Sequence, residues 1–197
     1  MSTTSTLTYR DRTPAVLADL IPGTLVRDLL LVLGGAAFVG LLAQISIHLS
    51  FTPVPITGQT LGVLVTGTAL GYRRGAAAMI LYAVAGLIGV PWFAGGASGY
   101  VGASFGYVLG FIVCAMACGR LAERGADRSL LGSVPAMVVG EVAMYSIGVG
   151  WLAVYLHVSV SEAISLGLTP FLAGDAIKAG LAALLLPAAW KLAGPRR

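Results

Sequence analysis

The sequence predicts an all-α membrane protein in which six transmembrane helices form a single domain. Hydrophobic residues make up 57% of the 197 residues and charged residues only 10%, and the mean hydropathy is +0.91, which is far more apolar than a soluble domain of this size. Long apolar stretches recur along the chain, and the basic residues are confined to alternate connections between them. The net charge of +4 is therefore explained by a lipid bilayer as partner, and we expect no nucleic acid.

The apolar stretches give the predicted helices. Crossing the hydrocarbon core takes roughly 20 apolar residues per helix, with ~17 tolerated. Six stretches qualify, separated by Pro, Gly and charged residues that end helices. They lie at approximately 26–49, 56–72, 75–91, 103–119, 133–156 and 170–190.

The predicted helices belong to one membrane domain at 26–192, because no polar linker is long enough to separate a second one. A segment at 1–25 precedes this domain and a short tail at 193–197 follows it. Within the first segment, apolar residues at 15–21 have the spacing of a short helix lying on the membrane surface.

The basic residues determine the predicted orientation. With six spans, every Lys and Arg except Lys178 falls on one side of the membrane, whereas the connections near 48–57, 92–102 and 157–169 contain neither residue type. Such asymmetry predicts that the basic side, with both chain termini, is cytoplasmic. The residues on that side are Arg10, Arg12, Arg27, Arg73, Arg74, Arg120, Arg124, Arg128, Lys191, Arg196 and Arg197.

The predicted functional centre is the pair Asp175 and Lys178 in the sixth span. The two charges are three residues apart, so on a helix they share one face and can pair with each other or bind one ligand together. Ionisable residues at membrane depth cost several kcal/mol by the lower estimates, and this makes them functional candidates. A structural ion pair between helices is the alternative. Lys178 lies eight residues beyond Pro170, which places it about 12 Å along the helix from its outer end.

Other polar and glycine residues are candidates for the rest of the site. The outer connections contain Gln59 and the pair Gly95 and Gly96, which together can cap a cavity. In the fifth span, Glu141 and Tyr145 share one helical face, so a hydrogen bond between them is allowed by the spacing. We keep both as candidate ligand contacts, with structural packing inside the bundle as the alternative.

The first span contains the small-xxx-small pair Ala36 and Gly40. Small residues at this spacing allow helix backbones to approach closely in lipid. The pair is a candidate partner interface, and the sequence leaves open whether it meets another helix of this chain or another subunit.

Five motifs in order along the chain resemble one known family, BioY, the biotin-specific S component of energy-coupling-factor (ECF) transporters. The resemblance covers roughly residues 28–192. The motifs are Ala-Gln-Ile-Ser-Ile at 43–47, Pro-Val-Pro-Ile-Thr-Gly-Gln-Thr-Leu-Gly at 53–62, Tyr-Ala-Val-Ala-Gly-Leu-Ile-Gly-Val-Pro-Trp-Phe-Ala-Gly-Gly at 82–96, Phe-Gly-Tyr-Val-Leu-Gly-Phe at 105–111 and Gly-Asp-Ala-Ile-Lys at 174–178.

The resemblance implies a multi-pass subunit of the bacterial cell membrane that captures biotin at the outer face. It implies that Lys178 binds the biotin carboxylate and that Asp175 accepts a hydrogen bond from a ureido N–H. Phe93 and Tyr107 are expected to form apolar walls, and the loop at Gly95 to close over the ligand.

The implied partners are a transmembrane coupling subunit, which family members contact through helix one and its small-residue pattern, and two cytoplasmic ATPase subunits. We expect no catalytic residue, metal or cofactor in this chain, since no nucleotide-binding motif is present and ATP is used only by the partners.

Two other classes remain open at this point. A small intramembrane enzyme would use Asp175, Glu141 or a histidine for acid–base chemistry, although no arrangement of nucleophile and base is evident. A self-sufficient, proton-coupled vitamin carrier would use Glu141 or Asp175 as its proton site, although the chain has no detectable internal repeat.

Overall fold

A computed structural model of the chain describes residues 14–99 and 102–193. In this part of the chain it contains six α-helices, three short 3-10 turns and one β-hairpin. The 3-10 turns are Leu17–Leu20, Ala94–Gly96 and Ala126–Arg128, and the hairpin strands are β1 (Ser46–Ile47) and β2 (Ile56–Thr57). The helices are α1 (Leu25–Ala43), α2 (Gln59–Leu87), α3 (Phe105–Ala122), α4 (Leu130–Leu156), α5 (Val160–Gly167) and α6 (Leu172–Ala193).

Helix α2 folds back on itself at Gly71. This residue has φ 82° and ψ 177°, a backbone conformation open essentially to glycine alone. A Cβ atom added to Gly75 would lie 3.0 Å from the Cα of Gly67, whereas eight residues of continuous helix rise about 12 Å. The two halves of α2 are therefore antiparallel neighbours, which agrees with the predicted break between the second and third spans. The backbone N–H of Tyr72 donates to Oε1 of Glu123 at 3.0 Å and so stabilises the reversal.

The first helix is shorter than predicted. It ends at Ala43 instead of residue 49, because the following residues pair as a hairpin in which Ser46 lies opposite Thr57. The backbone N–H of Gly58 donates to the carbonyl groups of Leu42 and Ile45, at 3.2 and 3.1 Å, and so holds the hairpin against the end of α1. Helix α5 is also unexpected, since it lies within the predicted connection 157–169.

Four of the described helices are long and apolar enough to cross a membrane: α1, α3, α4 and α6. Each half of α2 is shorter than the roughly 20 residues that a span needs. These helices carry large apolar side chains on their outward faces, such as Leu41, Leu131 and Leu192, as expected of a bundle surrounded by lipid.

Basic side chains gather at one end of the bundle, which we call the basic end. Arg74, just after the reversal in α2, pairs with Asp19 and, at 3.4 Å, with Asp28 at the start of α1. The guanidinium carbon of Arg128 lies 3.7 Å from the ring centroid of Trp190, near the end of α6. The opposite end carries the β-hairpin and the turn Ala94–Gly96, and we call it the hairpin end.

The predicted surface helix before α1 is a short 3-10 turn, Leu17–Leu20. It packs onto the bundle, since Val16 and Ala18 are buried in the core. Burial raises the pKa of Asp19 in this turn, but hydrogen bonding and charge from Arg74, together with nearby backbone N–H groups, outweigh burial and leave the pKa below its usual value. Residues 1–13 and the predicted tail beyond residue 193, with their four arginines, lie outside the described residues.

Candidate ligand-binding site

A cavity of about 390 Å³ opens at the hairpin end of the bundle. Its walls come from the β-hairpin, the loop after α2, the first turns of α3 and α6, and the last turns of α4. The volume falls in the range of small-molecule sites, which are mostly apolar with a few polar groups. Six of the predicted site residues line it: Gln59, Phe93, Tyr107, Tyr145, Asp175 and Lys178.

Asp175 and Lys178 pair inside this cavity. They lie in the first turns of α6, and Nζ of Lys178 donates to Oδ1 of Asp175 at 2.7 Å. The second carboxylate oxygen, Oδ2, accepts a hydrogen bond from the hydroxyl of Tyr145 on α4. Asp175 is 3% exposed, whereas the Lys178 side chain keeps 16% of its surface accessible. The carboxylate is thus fixed from two sides, and the ammonium group is the more accessible partner.

Aromatic side chains form much of the wall. The hydroxyl of Tyr107 donates to the carbonyl oxygen of Gly167 at 2.7 Å, and its ring meets that of Tyr145 edge to face, with centroids 6.0 Å apart. Phe93 is buried and meets the ring of Tyr82 edge to face at 5.4 Å. Because Tyr107 also lies directly against Gly148, a larger residue there would displace it. The walls are accordingly held in position by the protein before any ligand arrives.

Gln59 lines the cavity through a side chain that is already bonded within the protein. Its Nε2 donates to the hydroxyl of Tyr82 at 2.6 Å, and its Oε1 accepts from the hydroxyl of Thr57 at 2.7 Å. The Tyr82 hydroxyl donates in turn to the carbonyl oxygen of Trp92 at 3.1 Å. This chain of bonds joins the hairpin to the loop that carries Phe93, so Gln59 holds two walls of the cavity together.

Gly95 and Gly96 stand beside the cavity, not in its wall. The neighbouring Ala94 and Ala97 line it instead. Both glycines have positive φ, 66° and 83°, which L side chains rarely adopt, and a Cβ on Gly95 would lie 3.8 Å from Cε1 of His48. They shape the turn next to the hairpin, between the lining residues Phe93 and Ala97.

The expected Glu141–Tyr145 hydrogen bond is not formed, because the Tyr145 hydroxyl donates to Asp175 on the neighbouring helix. Glu141 lies outside the cavity lining, and its Oε1 is buried without a hydrogen-bond partner. Direct contact between Glu141 and a ligand stays a prediction, whereas the residues that line this cavity are the nearer candidates.

The small-residue pair on α1 faces into the chain itself. Ala36 and Gly40 are both buried, and a Cβ on Gly40 would lie 3.1 Å from Cβ of Trp92. Their small size serves packing within this chain, which is the intramolecular alternative that the sequence leaves open. The outward face of α1 carries other residues, among them Gly34 and Leu41, both exposed.

Sequence reasoning missed several lining residues, including His48, Phe105, Met144, Tyr155 and Phe171. A signal existed for Phe171, which lies in the same apolar run as Asp175. His48 directly follows β1, and the hairpin brings it to the cavity. The other three depend on how helices pack, which spacing along one helix does not reveal.

Together, the fold and the cavity define a multi-pass helical membrane protein with a cavity of small-molecule size at one end of its bundle. A family model described as the BioY family matches residues 9–195, and the chain belongs to that family. The resemblance found in the sequence motifs is thereby confirmed.

Relatives with assigned names support the same placement. The biotin transporter BioY of Rhizobium etli is 38% identical over 172 residues, which cover 81% of this chain and 90% of the relative. The biotin transporter BioY of Thermotoga maritima is 39% identical over 146 residues, covering 73% of this chain and 83% of the relative. A crystal structure of the S-component for biotin from an ECF-type ABC transporter matches with a TM-score of 0.77 at 24% identity, over 86% of this chain and 95% of that one. This chain and that S-component share a fold.

Proposed function

We propose that this chain takes part in biotin uptake as the substrate-binding membrane subunit, or S component, of an ECF-type ABC transporter. The observation that carries the proposal is the buried Asp175–Lys178 pair in an otherwise largely aromatic and aliphatic cavity. Relatives named biotin transporters and the fold of a biotin S-component support it. The same relatives favour transport over an intramembrane enzyme.

Biotin supplies the groups that such a cavity can bind. It has a carboxylate tail, an apolar sulfur ring and a ureido group that both donates and accepts hydrogen bonds. Lys178, the more accessible partner of the pair, binds the carboxylate, and Asp175 accepts a hydrogen bond from a ureido N–H. Each charge-assisted contact contributes roughly 1.5–3 kcal/mol. Phe93 and Tyr107 pack against the rings, and the loop at Gly95 covers the mouth.

We propose that the cavity opens to the outside of the cell and that both termini are cytoplasmic. This orientation is supported by the collection of Arg74, Arg120 and Arg128 at the basic end, far from the cavity. The reversal at Gly71 supports six crossings, with the two halves of α2 as the second and third. Because each half of α2 is shorter than a full span, the hairpin and the loop after α2 complete the passage through the bilayer in this proposal.

ATP hydrolysis in this proposal belongs to partner chains. A transmembrane coupling subunit and two ATPase subunits would complete the transporter, and this chain would need no cofactor of its own. With Ala36 and Gly40 buried, we propose that the coupling subunit meets the exposed face of α1, where Gly34 leaves room for a close approach because no neighbouring atom of the described residues lies within 4 Å of its Cβ position.

The test of this proposal is calorimetric titration of the purified chain in detergent with biotin and with biotin methyl ester, without partner subunits. Wild-type protein should bind biotin, and folded protein that does not bind it would reject the function. Lys178→Ala should weaken biotin about 10- to 100-fold and the uncharged ester much less, because only biotin offers a carboxylate. Asp175→Asn should weaken both, since both ligands contain the ureido ring.

Two controls separate ligand contacts from folding. Lys191→Ala removes an exposed lysine at the other end of the same helix and should leave both affinities unchanged. Removing Lys178 alone leaves Asp175 buried without its cation. The double variant Asp175→Asn/Lys178→Met has no charge at either position, and its affinities are compared with those of Lys178→Ala. Equal losses for biotin and its ester in Lys178→Ala would contradict the carboxylate assignment and favour a contact between Lys178 and the ureido oxygen.

A further inference from the structure

Glu141 is a partly buried residue, with its Oε1 atom fully buried, that the proposed binding site leaves unused. Its Oε1 has no hydrogen-bond partner, although it lies one helical turn before Tyr145, whose hydroxyl reaches Asp175. Asp175 and Lys178 both act on it electrostatically. An ionised carboxylate buried without donors is unfavourable. Glu141 therefore either holds a proton or depends on Lys178, which already pairs with Asp175.

Few other titratable groups surround Glu141 among the described residues packed on α4. Helix α5 contributes only the exposed Glu162, and the turn Ala126–Arg128 has its buried carboxylate bonded to Trp190. Arg120 on α3 pairs with Glu123 at 3.0 Å and Lys191 lies in the last turn of α6, both toward the basic end. The remaining groups on these two helices are neutral except for the ion pair. They are Tyr107, Cys114 and Cys118 on α3, and Asp175 and Lys178 on α6. The charge balance near Glu141 is thus two carboxyl groups against one lysine.

Biotin would change this balance. Its carboxylate adds a further negative charge near Lys178, so that three negative charges would face one positive charge if Glu141 were ionised. A proton taken up from solvent by Glu141 reduces the negative charges from three to two. We propose that biotin binding is coupled to uptake of a proton by Glu141, which makes this residue a proton site linked to the ligand. The inference rests on the proposed function and adds a role for a side chain outside the cavity wall.

The coupling has a definite sign. The ligand-bound protein holds more protons than the free protein, so biotin binds more weakly as the pH rises through the range in which ligand-free Glu141 loses its proton. For uptake of one full proton, Kd increases about tenfold per pH unit, and for a partial uptake proportionately less. Biotin methyl ester brings no charge, and its Kd should not change with pH in this range.

The experiment measures the number of protons taken up per ligand bound. The purified chain is titrated with biotin in buffers of different ionisation enthalpy, at several pH values between about 6.5 and 9, where solvated carboxylates and lysines do not titrate. Wild type should take up a fraction of a proton with biotin and none with biotin methyl ester. Glu141→Gln should take up none with either ligand, and Glu162→Gln, which changes an exposed glutamate, should behave as wild type.

Several outcomes would overturn the inference. One is proton uptake that persists in Glu141→Gln, and another is uptake that is lost in His48→Asn but retained in Glu141→Gln, since His48 also lies in the cavity wall. If Glu141→Gln does not fold, the inference is tested on wild type alone. Equal proton uptake with biotin and with its methyl ester also contradicts the inference. Absence of binding by either ligand rejects the proposed function, whereas binding without proton uptake rejects only the role of Glu141.

Discussion

Gly67 lies where the backbones of α2 and α3 approach closely, and it gives a sharp test of the bundle. A Cβ atom at this position would lie 2.6 Å from the Cα and 2.9 Å from the carbonyl oxygen of Ala115. Both are backbone atoms, which cannot turn aside as a side chain can. Gly67→Ala should force the two helices apart at the largest helix interface of the chain. Overpacking of this kind costs about 3 kcal/mol at its usual upper end, offset by about 1 kcal/mol of improved helix propensity.

The expected net loss for Gly67→Ala is about 2 kcal/mol, or roughly 4–8 °C in Tm for a chain of this length. Thermal unfolding in detergent, followed by circular dichroism, measures it. Gly34→Ala is the matched control, because it changes a helical glycine with nothing within 4 Å of its Cβ position and should be neutral or slightly stabilising. Biotin affinity should also fall in Gly67→Ala, since α3 carries Tyr107. A Gly67→Ala protein as stable as Gly34→Ala would refute the close packing.

Two further predictions concern polar contacts. Tyr145→Phe removes the donor to Oδ2 of the buried Asp175 and should cost about 1.5–3 kcal/mol, seen as a lower Tm without ligand; an unchanged Tm would mean that the carboxylate finds another donor. Asp19 has a lowered pKa because Arg74 outweighs burial, so its contribution to stability is complete above the ordinary value of 3.8 and is lost as the pH falls through the lowered pKa. Asp19→Asn should therefore lower Tm at neutral pH, and this loss should shrink as the pH falls below 3.8; a loss that does not change with pH would contradict the ion pair.

Hydropathy predicts most of the helix positions because lipid selects for long apolar runs. Helices α3, α4 and α6 lie within a few residues of their predicted ranges, and the reversal at Gly71 falls at the predicted break. The end of α1 is wrong because residues 45–49 are apolar enough to continue a helix, whereas pairing with β2 diverts them. Helix α5 was missed despite a local signal: Ser159 accepts a hydrogen bond from the backbone N–H of Glu162, at the spacing of a capping box.

The site shows where spacing along one helix stops being informative. Asp175 and Lys178 were predicted together because an i, i+3 pair needs only one helix. The partner of Tyr145 was assigned to its own helix, whereas its hydroxyl bonds to α6. Likewise, the spacing of Ala36 and Gly40 predicts close helix packing but contains no information about which helix approaches. Both contacts lie between helices and depend on how the whole bundle is arranged.

The arrangement of hydrogen bonds explains how such a cavity can be selective in an apolar protein. Asp175 is already bonded to Tyr145 and Lys178, Gln59 to two hydroxyl groups, and Tyr107 to a backbone carbonyl. A ligand that displaces one of these bonds gains affinity only if it offers equally good donors and acceptors in return. A ureido ring with a carboxylate tail does so, whereas an apolar molecule of the same size leaves the carboxylate or the ammonium group unpaired. Within the described helices that cross the bundle, Glu141 retains a buried side-chain oxygen without such a bond, and for this reason we expect the charge of the ligand to be balanced there.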